Sequence, residues 1–246
     1  MKTMLVLSMG ALLLAGTLSA QTPIPEWQAG VDKMKSLIQT NPAQASEEVG
    51  GLLKGKNKKN VDLVTSVAHV YLDAGKLTEA QEYLAMAKKA DNKDPKVSVL
   101  EGDIALAQKD IGQACQLYEQ AIYFDPNCKE AYLKYAQAYK SASPALAIEK
   151  LEQLKAVDPN CLEADRELAE VYYSSNRFGK AAEMYAKFID TPLATEDDML
   201  KYAFALFLNH DFEKSLQVAQ KGLQKNARHA AFNRLVMYNN TDLKRY

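Results

Sequence analysis

An all-α solenoid of stacked helix pairs is the fold that this 246-residue sequence predicts, and three observations predict it. Phe124-Asp125-Pro126-Asn127-Cys128 and Val157-Asp158-Pro159-Asn160-Cys161 are near-copies 33 residues apart. Small residues recur at matched places on either side of them. Short turns such as Asp73-Ala74-Gly75-Lys76 and Ser174-Ser175-Asn176-Arg177 separate the apolar stretches. A period of this length is the signature of supersecondary units that bury their apolar faces by stacking on one another. With 48% hydrophobic and 25% charged residues, the composition is that of a folded chain.

Residues 1–20 differ in kind. Lys2 is their only charge, Leu5 to Leu18 is an apolar stretch broken by Ser8, Gly10 and Gly16, and Leu18-Ser19-Ala20 ends in small residues. That pattern predicts a secretory signal peptide cleaved after Ala20. An uncleaved anchor is the rival reading, but the run is short for a span of about 20 residues, and Gln21-Thr22-Pro23-Ile24-Pro25 supplies no basic flank. No cysteine near the cleavage point marks a lipoprotein. Export from a Gram-negative cell, into the periplasm or onto the outer surface, is the expectation. Without residues 1–20, 29 basic residues face 31 acidic ones. So balanced a surface points to neither nucleic acid nor an acidic membrane as partner.

Residues 21–60 read as an irregular helical pair that caps the array. Trp27, Val31, Met34, Leu37 and Ile38 share one helical face, and a second helix after Asn41-Pro42 carries Val49, Leu52 and Leu53. The basic turn Lys54 to Lys59 follows; a solvated linker is the favoured reading, with a binding patch as its rival.

Five units occupy 61–94, 95–128, 129–161, 162–195 and 196–229. The first helix of each carries a small residue, in turn Ala68, Gly102, Ala136, Ala169 and Ala203. The second helix carries Ala80, Ala114, Ala147, Ala181 and Ser215. Helices approach to about 8–10 Å only where the crossing residues are small, so these mark the crossings. Tyr71, Tyr118, Tyr139, Tyr172 and Tyr185 fill the space beside them. The third unit is one residue short near Ser141 to Pro144, Leu154 and Phe188 replace a second small residue, and the fifth unit lacks a closing proline. In 230–246, Ala230 to Tyr238 reads as a sixth first helix, Asn239 to Lys244 as its turn, and Arg245-Tyr246 as the start of a second helix. The repeat is thereby interrupted.

This pattern of small, Tyr, Ala and Pro landmarks resembles the tetratricopeptide repeat over about 61–229. The resemblance implies a right-handed α-α superhelix whose concave groove is lined by the first helices and binds an extended peptide or a partner helix. Carried over position by position, it places Asp103 and Leu106 of the second unit in the groove, with Leu133 and Gln137 of the third. Glu163, Arg166, Glu170 and Tyr173 follow from the fourth, then Leu200, Phe204 and Phe207 from the fifth. The family's carboxylate clamp of Lys, Asn and Arg is replaced here by Thr65, His69, Val99, Asp103, Leu133 and Gln137. The early and middle groove reads as acidic, through Asp62, Asp103, Glu130, Glu163 and Glu170, and its far end as apolar. Such a groove suits a peptide that mixes apolar anchors with Lys or Arg. The apolar end reads equally as an interface for repeats beyond it.

Catalytic, cofactor and metal sites are not expected. His69, His210 and His229 fall at non-equivalent places, and no metal-ligand spacing, phosphate loop or nucleophile elbow is present. His69 beside Asp73 is the one pair that could be read as acid and base, and a surface ion pair is the favoured reading. Cys128 and Cys161 occupy equivalent turns of adjacent units, spaced by roughly 10 Å and too far apart to bridge. With Cys115 in a helical interface, three free thiols are expected. Two readings of function follow: a non-catalytic envelope scaffold that binds a protein or peptide, or the helical arm of a longer protein whose activity lies elsewhere.

Overall fold

The computed structural model describes residues 24–244. The expected leader at 1–20 lies outside these residues, as do Arg245 and Tyr246. Thirteen α-helices and no strand are found among the described residues. A first pair, α1 (Gln28–Leu37) and α2 (Pro42–Leu52), is joined by a 3-10 turn at Gly55–Lys59 to α3 (Val61–Asp73) and α4 (Leu77–Ala90). Then come α5 (Pro95–Ala107) with α6 (Ile111–Phe124), and α7 (Lys129–Tyr139) with α8 (Pro144–Val157). The last pairs are α9 (Leu162–Ser174) with α10 (Phe178–Phe188) and α11 (Glu196–Leu208) with α12 (Phe212–Lys225), before a single α13 (Ala230–Asp242). The chain is an all-α helical repeat solenoid.

Each helix begins and ends for local reasons. Asn60, Asp110 and Asp211 cap α3, α6 and α12 by accepting from the backbone N–H three residues on. Thr195 and Asp198 form a reciprocal capping box at α11. Proline opens α2, α5 and α8 in the first turn, where its missing N–H costs nothing. The prolines at 95 and 144 therefore start helices. Asp91, Asp125 and Asp158 end α4, α6 and α8 in the same turn, each side chain accepting from the N–H two residues on.

The turn inside the pairs is equally regular. Two residues past the ends of α3, α5, α9, α11 and α13 stand Gly75, Lys109, Asn176, His210 and Lys244, all with positive φ. Around the first four, the following N–H reaches back to the carbonyl five residues earlier, the closing bond of a Schellman motif. The shortened third unit lacks this residue, and Ser143-Pro144 starts α8 directly.

Packing follows the small residues. Ala68, Ala136, Ala169 and Ala203 are buried at the crossings within pairs. At Gly102 even a Cβ would fall 2.5 Å from the Tyr118 ring. First helices also stack on first helices, α3 on α5, α5 on α7, α7 on α9 and α11 on α13. A side chain from each pair thus enters the next, and the core runs along the array in four apolar clusters.

One expectation is corrected. The sixth first helix does not turn at Asn239; it continues to Asp242, matching the length of α3, α5, α9 and α11. Asn239 is fully buried, and its side-chain amide donates to Ser215 Oγ at 2.9 Å. Ser215 in turn donates to the Ala203 carbonyl at 2.8 Å. A residue type that favours turns in isolation is held in helix by these buried bonds.

Candidate binding groove

The first helices carry their ninth residue at equivalent places: His69, Asp103, Gln137, Glu170, Phe204 and, in α13, Tyr238. Asp103 is only 7% exposed, and it is met from three sides. The Tyr118 hydroxyl donates to its Oδ1 at 2.7 Å, Lys134 Nζ donates to Oδ2 at 2.9 Å, and His69 Nε2 lies 3.0 Å from Oδ2. Burial alone would raise this carboxyl, but the bonds from His69, Lys134 and Tyr118 hold it below the ordinary value.

Two repeats later the arrangement recurs. The Tyr185 hydroxyl donates to Glu170 at 2.7 Å, and Lys201 donates to both carboxylate oxygens at 2.9 Å. Lys140 adds a contact at 3.5 Å. Burial again opposes ionisation, and the Lys201 and Tyr185 bonds overcome it, so Glu170 is also lowered. Tyrosine follows carboxylate by 15 residues and lysine by 31 in both cases. The two nodes thus clamp a first helix, its own second helix and the next first helix together.

Other predicted groove residues are engaged in the same way. Arg166 grips Asp198 with Nε and Nη2, at 3.2 and 3.1 Å. Gln137 donates to Glu167 at 2.9 Å, Lys129 to Glu163 at 2.7 Å, and Lys96 pairs with Asp62. The pairs of Asp62 and Glu163 are half exposed, so each contributes below about 1 kcal/mol. Their effect on the field of the groove is larger than that on stability.

The acidic reading of the groove is therefore corrected. Asp62, Asp103, Glu163 and Glu170 each have a cation from this chain within 3 Å, and of the five only Glu130 makes no ion pair among the described residues. His69 is corrected as well, because its partner is Asp103 in the next repeat and not Asp73. The family resemblance also places Thr65 and Val99 in the groove, and both are buried.

The far end is different in kind. Tyr173, Leu200, Phe204 and Phe207 are half-buried, with Leu208 exposed beyond them. Leu200, Phe204 and Phe207 pack on a small core of Met199, Ala203, Ala219, Phe232 and Leu235, so α13 covers part of this surface. Phe207 stands edge-on to Phe212 at 5.4 Å and meets Tyr238 at 6.2 Å between ring centres. Leu106 and Leu133 are half-buried and pack on the cores beneath them.

At the opposite end lies a hollow of about 310 Å³ that the sequence did not signal. Pro25 and Trp27 wall it on one side, and Asp62, Ser66, His69, Lys96 and Glu130 line it from three successive first helices. Trp27 reads in the sequence as a core residue of the cap. It also packs on that core, so one ring serves both.

The three thiols are free in the structure. Burial raises all three, Cys115 to about 11, so they are protonated at neutral pH and poorly nucleophilic. No group of three metal-ligating side chains and no helix long and apolar enough to cross a membrane occurs among the described residues.

Comparison with known proteins agrees with this architecture. The family model of the tetratricopeptide repeat matches residues 67–127 and 137–194. No curated protein matches the sequence. Among solved structures, PilW, a widely conserved type IV pilus biogenesis factor, is similar with a TM-score of 0.64 at 17% identity, covering 85% of this chain and 97% of that one. PilF of Pseudomonas aeruginosa gives 0.61 at 16%, covering 84% and 95%. YrrB, a repeat protein with an unusual peptide-binding site, gives 0.54 at 14%, covering 83% and 97%. At these identities the likeness is one of fold. Repeats of this kind serve generally as non-catalytic scaffolds for protein or peptide partners. With its family matches and its array of helix pairs, the chain belongs to the tetratricopeptide-repeat family.

Proposed function

We propose that this chain is an exported, non-catalytic scaffold of the bacterial cell envelope that holds a protein or peptide along its concave groove. One observation carries the reading: most groove carboxylates of the first four repeats are paired within the chain, and the far end opens into half-buried aromatic side chains at Phe204 and Phe207. Partly exposed aromatic residues are what binding anchors are made of, because each buries a large area at small entropic cost. Since most groove carboxylates already hold a lysine, arginine or histidine of the chain, an incoming basic residue gains little from them. The partner segment chosen by this groove is therefore apolar and weakly charged. YrrB, similar in fold alone, is described as having an unusual peptide-binding site, so a fold of this kind is compatible with such a use.

Export rests on residues 1–20, with their single charge, apolar run and small-residue end. Cell fractionation with N-terminal sequencing tests it, and a mature chain starting at Gln21 in the periplasm is the expected result. For the groove, the F204S/F207S double variant is expected to lose crosslinked partners while keeping its helicity and solubility. Unchanged partner recovery from that variant, accompanied by loss of solubility, would show instead that these rings serve only packing.

A further inference from the structure

The crossing position of each first helix is Ala68, Gly102, Ala136, Ala169 and Ala203, and all five are buried. In α13 the same position holds Met237, which is 56% exposed. A helix crossing as tightly as α12 crosses α11 requires a small residue there, so this face of α13 is not shaped for such a crossing. Tyr238 beside it is 44% exposed and rests against Phe207. Met237 and Tyr238 leave an apolar stripe open on a helix about 20 Å long.

The charges flanking that stripe are self-complementary. Arg234 and Asp242 stand four residues before and four after Tyr238, on the same side of the helix. Both are exposed, and neither makes an ion pair among the described residues. In an antiparallel pair of α13 helices related by a two-fold axis through Tyr238, Arg234 of each copy faces Asp242 of the other. A two-fold contact of this sort uses one patch twice and closes on itself.

We infer that the occupant of this face is a second copy of the chain, joined through antiparallel pairing of α13 about Tyr238. Met237 and Tyr238 provide the apolar contact, and the two Arg234–Asp242 pairs set direction and register. The contact is small, so the dimer is weak and depends on concentration. This inference goes beyond the binding function proposed above and does not rest on it.

Sedimentation equilibrium of the purified chain between about 1 and 100 µM tests the inference, and a monomer–dimer equilibrium is the expected result. R234D alone and D242R alone each set like charges against one another and are expected to weaken the dimer about tenfold or more. The R234D/D242R double variant restores opposite charges across the axis, and with them the dimer. All four side chains in play are exposed, so circular dichroism should be unchanged throughout. A strictly monomeric wild type at 100 µM overturns the proposal. So does a dimer indifferent to single charge reversal, or a double variant that fails to recover.

Discussion

Three positions, two in one repeat and the third in the first helix of the next, hold Asp103, Tyr118 and Lys134 from the second repeat onward and Glu170, Tyr185 and Lys201 from the fourth; from the fifth they hold Phe204, Ala219 and Leu235. The spacing along the chain is the same in all three places. Two are closed by a carboxylate that a tyrosine and a lysine satisfy, and the third by apolar contact. One spacing thus carries either chemistry. A buried carboxylate without its partners would be costly, and so would a buried lysine without an acceptor. The polar version pairs the carboxylates within the chain, whereas the apolar version leaves aromatic surface half-exposed.

Truncation at the ninth position tests this contrast most severely. Asp103→Ala leaves the buried Tyr118 hydroxyl and Lys134 without their acceptor and should cost about 3 kcal/mol in urea unfolding. Phe204→Ala should cost about 1–2 kcal/mol, since the ring is only half-buried. Equal losses would mean that the two regions are not held by different means.

Glycine contacts give the next effect. A Cβ at Gly102 would meet Tyr118, and one at Gly222 would meet Phe232, each at 2.5 Å. Overpacking should cost each alanine variant about 2 kcal/mol. Gly102→Ala should exceed Gly222→Ala by about 1 kcal/mol, because it also displaces Tyr118 from Asp103. The reverse order in thermal unfolding would show that the Tyr118 hydroxyl matters little.

Acidification separates the regions further. Asp103 and Glu170 are held below their ordinary values of 3.8 and 4.5 in the folded chain. The unfolded chain therefore takes up protons first as pH falls. Their stabilisation is complete above those ordinary values and disappears as pH drops through the lower folded ones. The D103N/E170Q variant should flatten stability against pH in that range, and Phe204→Ala should leave the slope as it was.

The smallest effect is a control. Lys109 and His210 hold the same left-handed turn position in the two regions, with φ of 68° and 63°. Glycine relieves a strain of about 1–2 kcal/mol there and returns part of it as extra freedom in the unfolded chain. Lys109→Gly should stabilise by about 0.5–1 kcal/mol, and His210→Gly by less, because it also removes the edge-on contact of His210 with Phe212 at 5.8 Å. An equal gain in thermal unfolding would show that this ring contact adds nothing.

Much of the fold is legible in the order of the residues. The small residues at 68, 102, 136, 169 and 203 identify crossings because only they permit close approach, whatever surrounds them. The 15- and 31-residue spacings of the two carboxylate nodes are also present in the sequence, and repetition of that polar triplet is the signal that discloses them. Asn239 misleads because its preference for turns is local, while the bond to Ser215 that overrides it joins residues 24 apart. For Asp103 and Glu170 the repeat register gives equivalent places on the first helices but not the electrostatic state.

The sequence by itself determined the repeat and the pairing of helices, since periodicity and residue size act within one unit and the next. Only the tertiary structure decided which first-helix side chains are paired within the chain and which stay open. A carboxylate on a helix face looks the same in sequence whether it meets water or lysine. It is the stacking of α5 on α7, and the reach of α11 side chains to α9, that brings Lys134 to Asp103 and Lys201 to Glu170. The same stacking leaves Phe204 and Phe207 half-open and Met237 and Tyr238 exposed on α13.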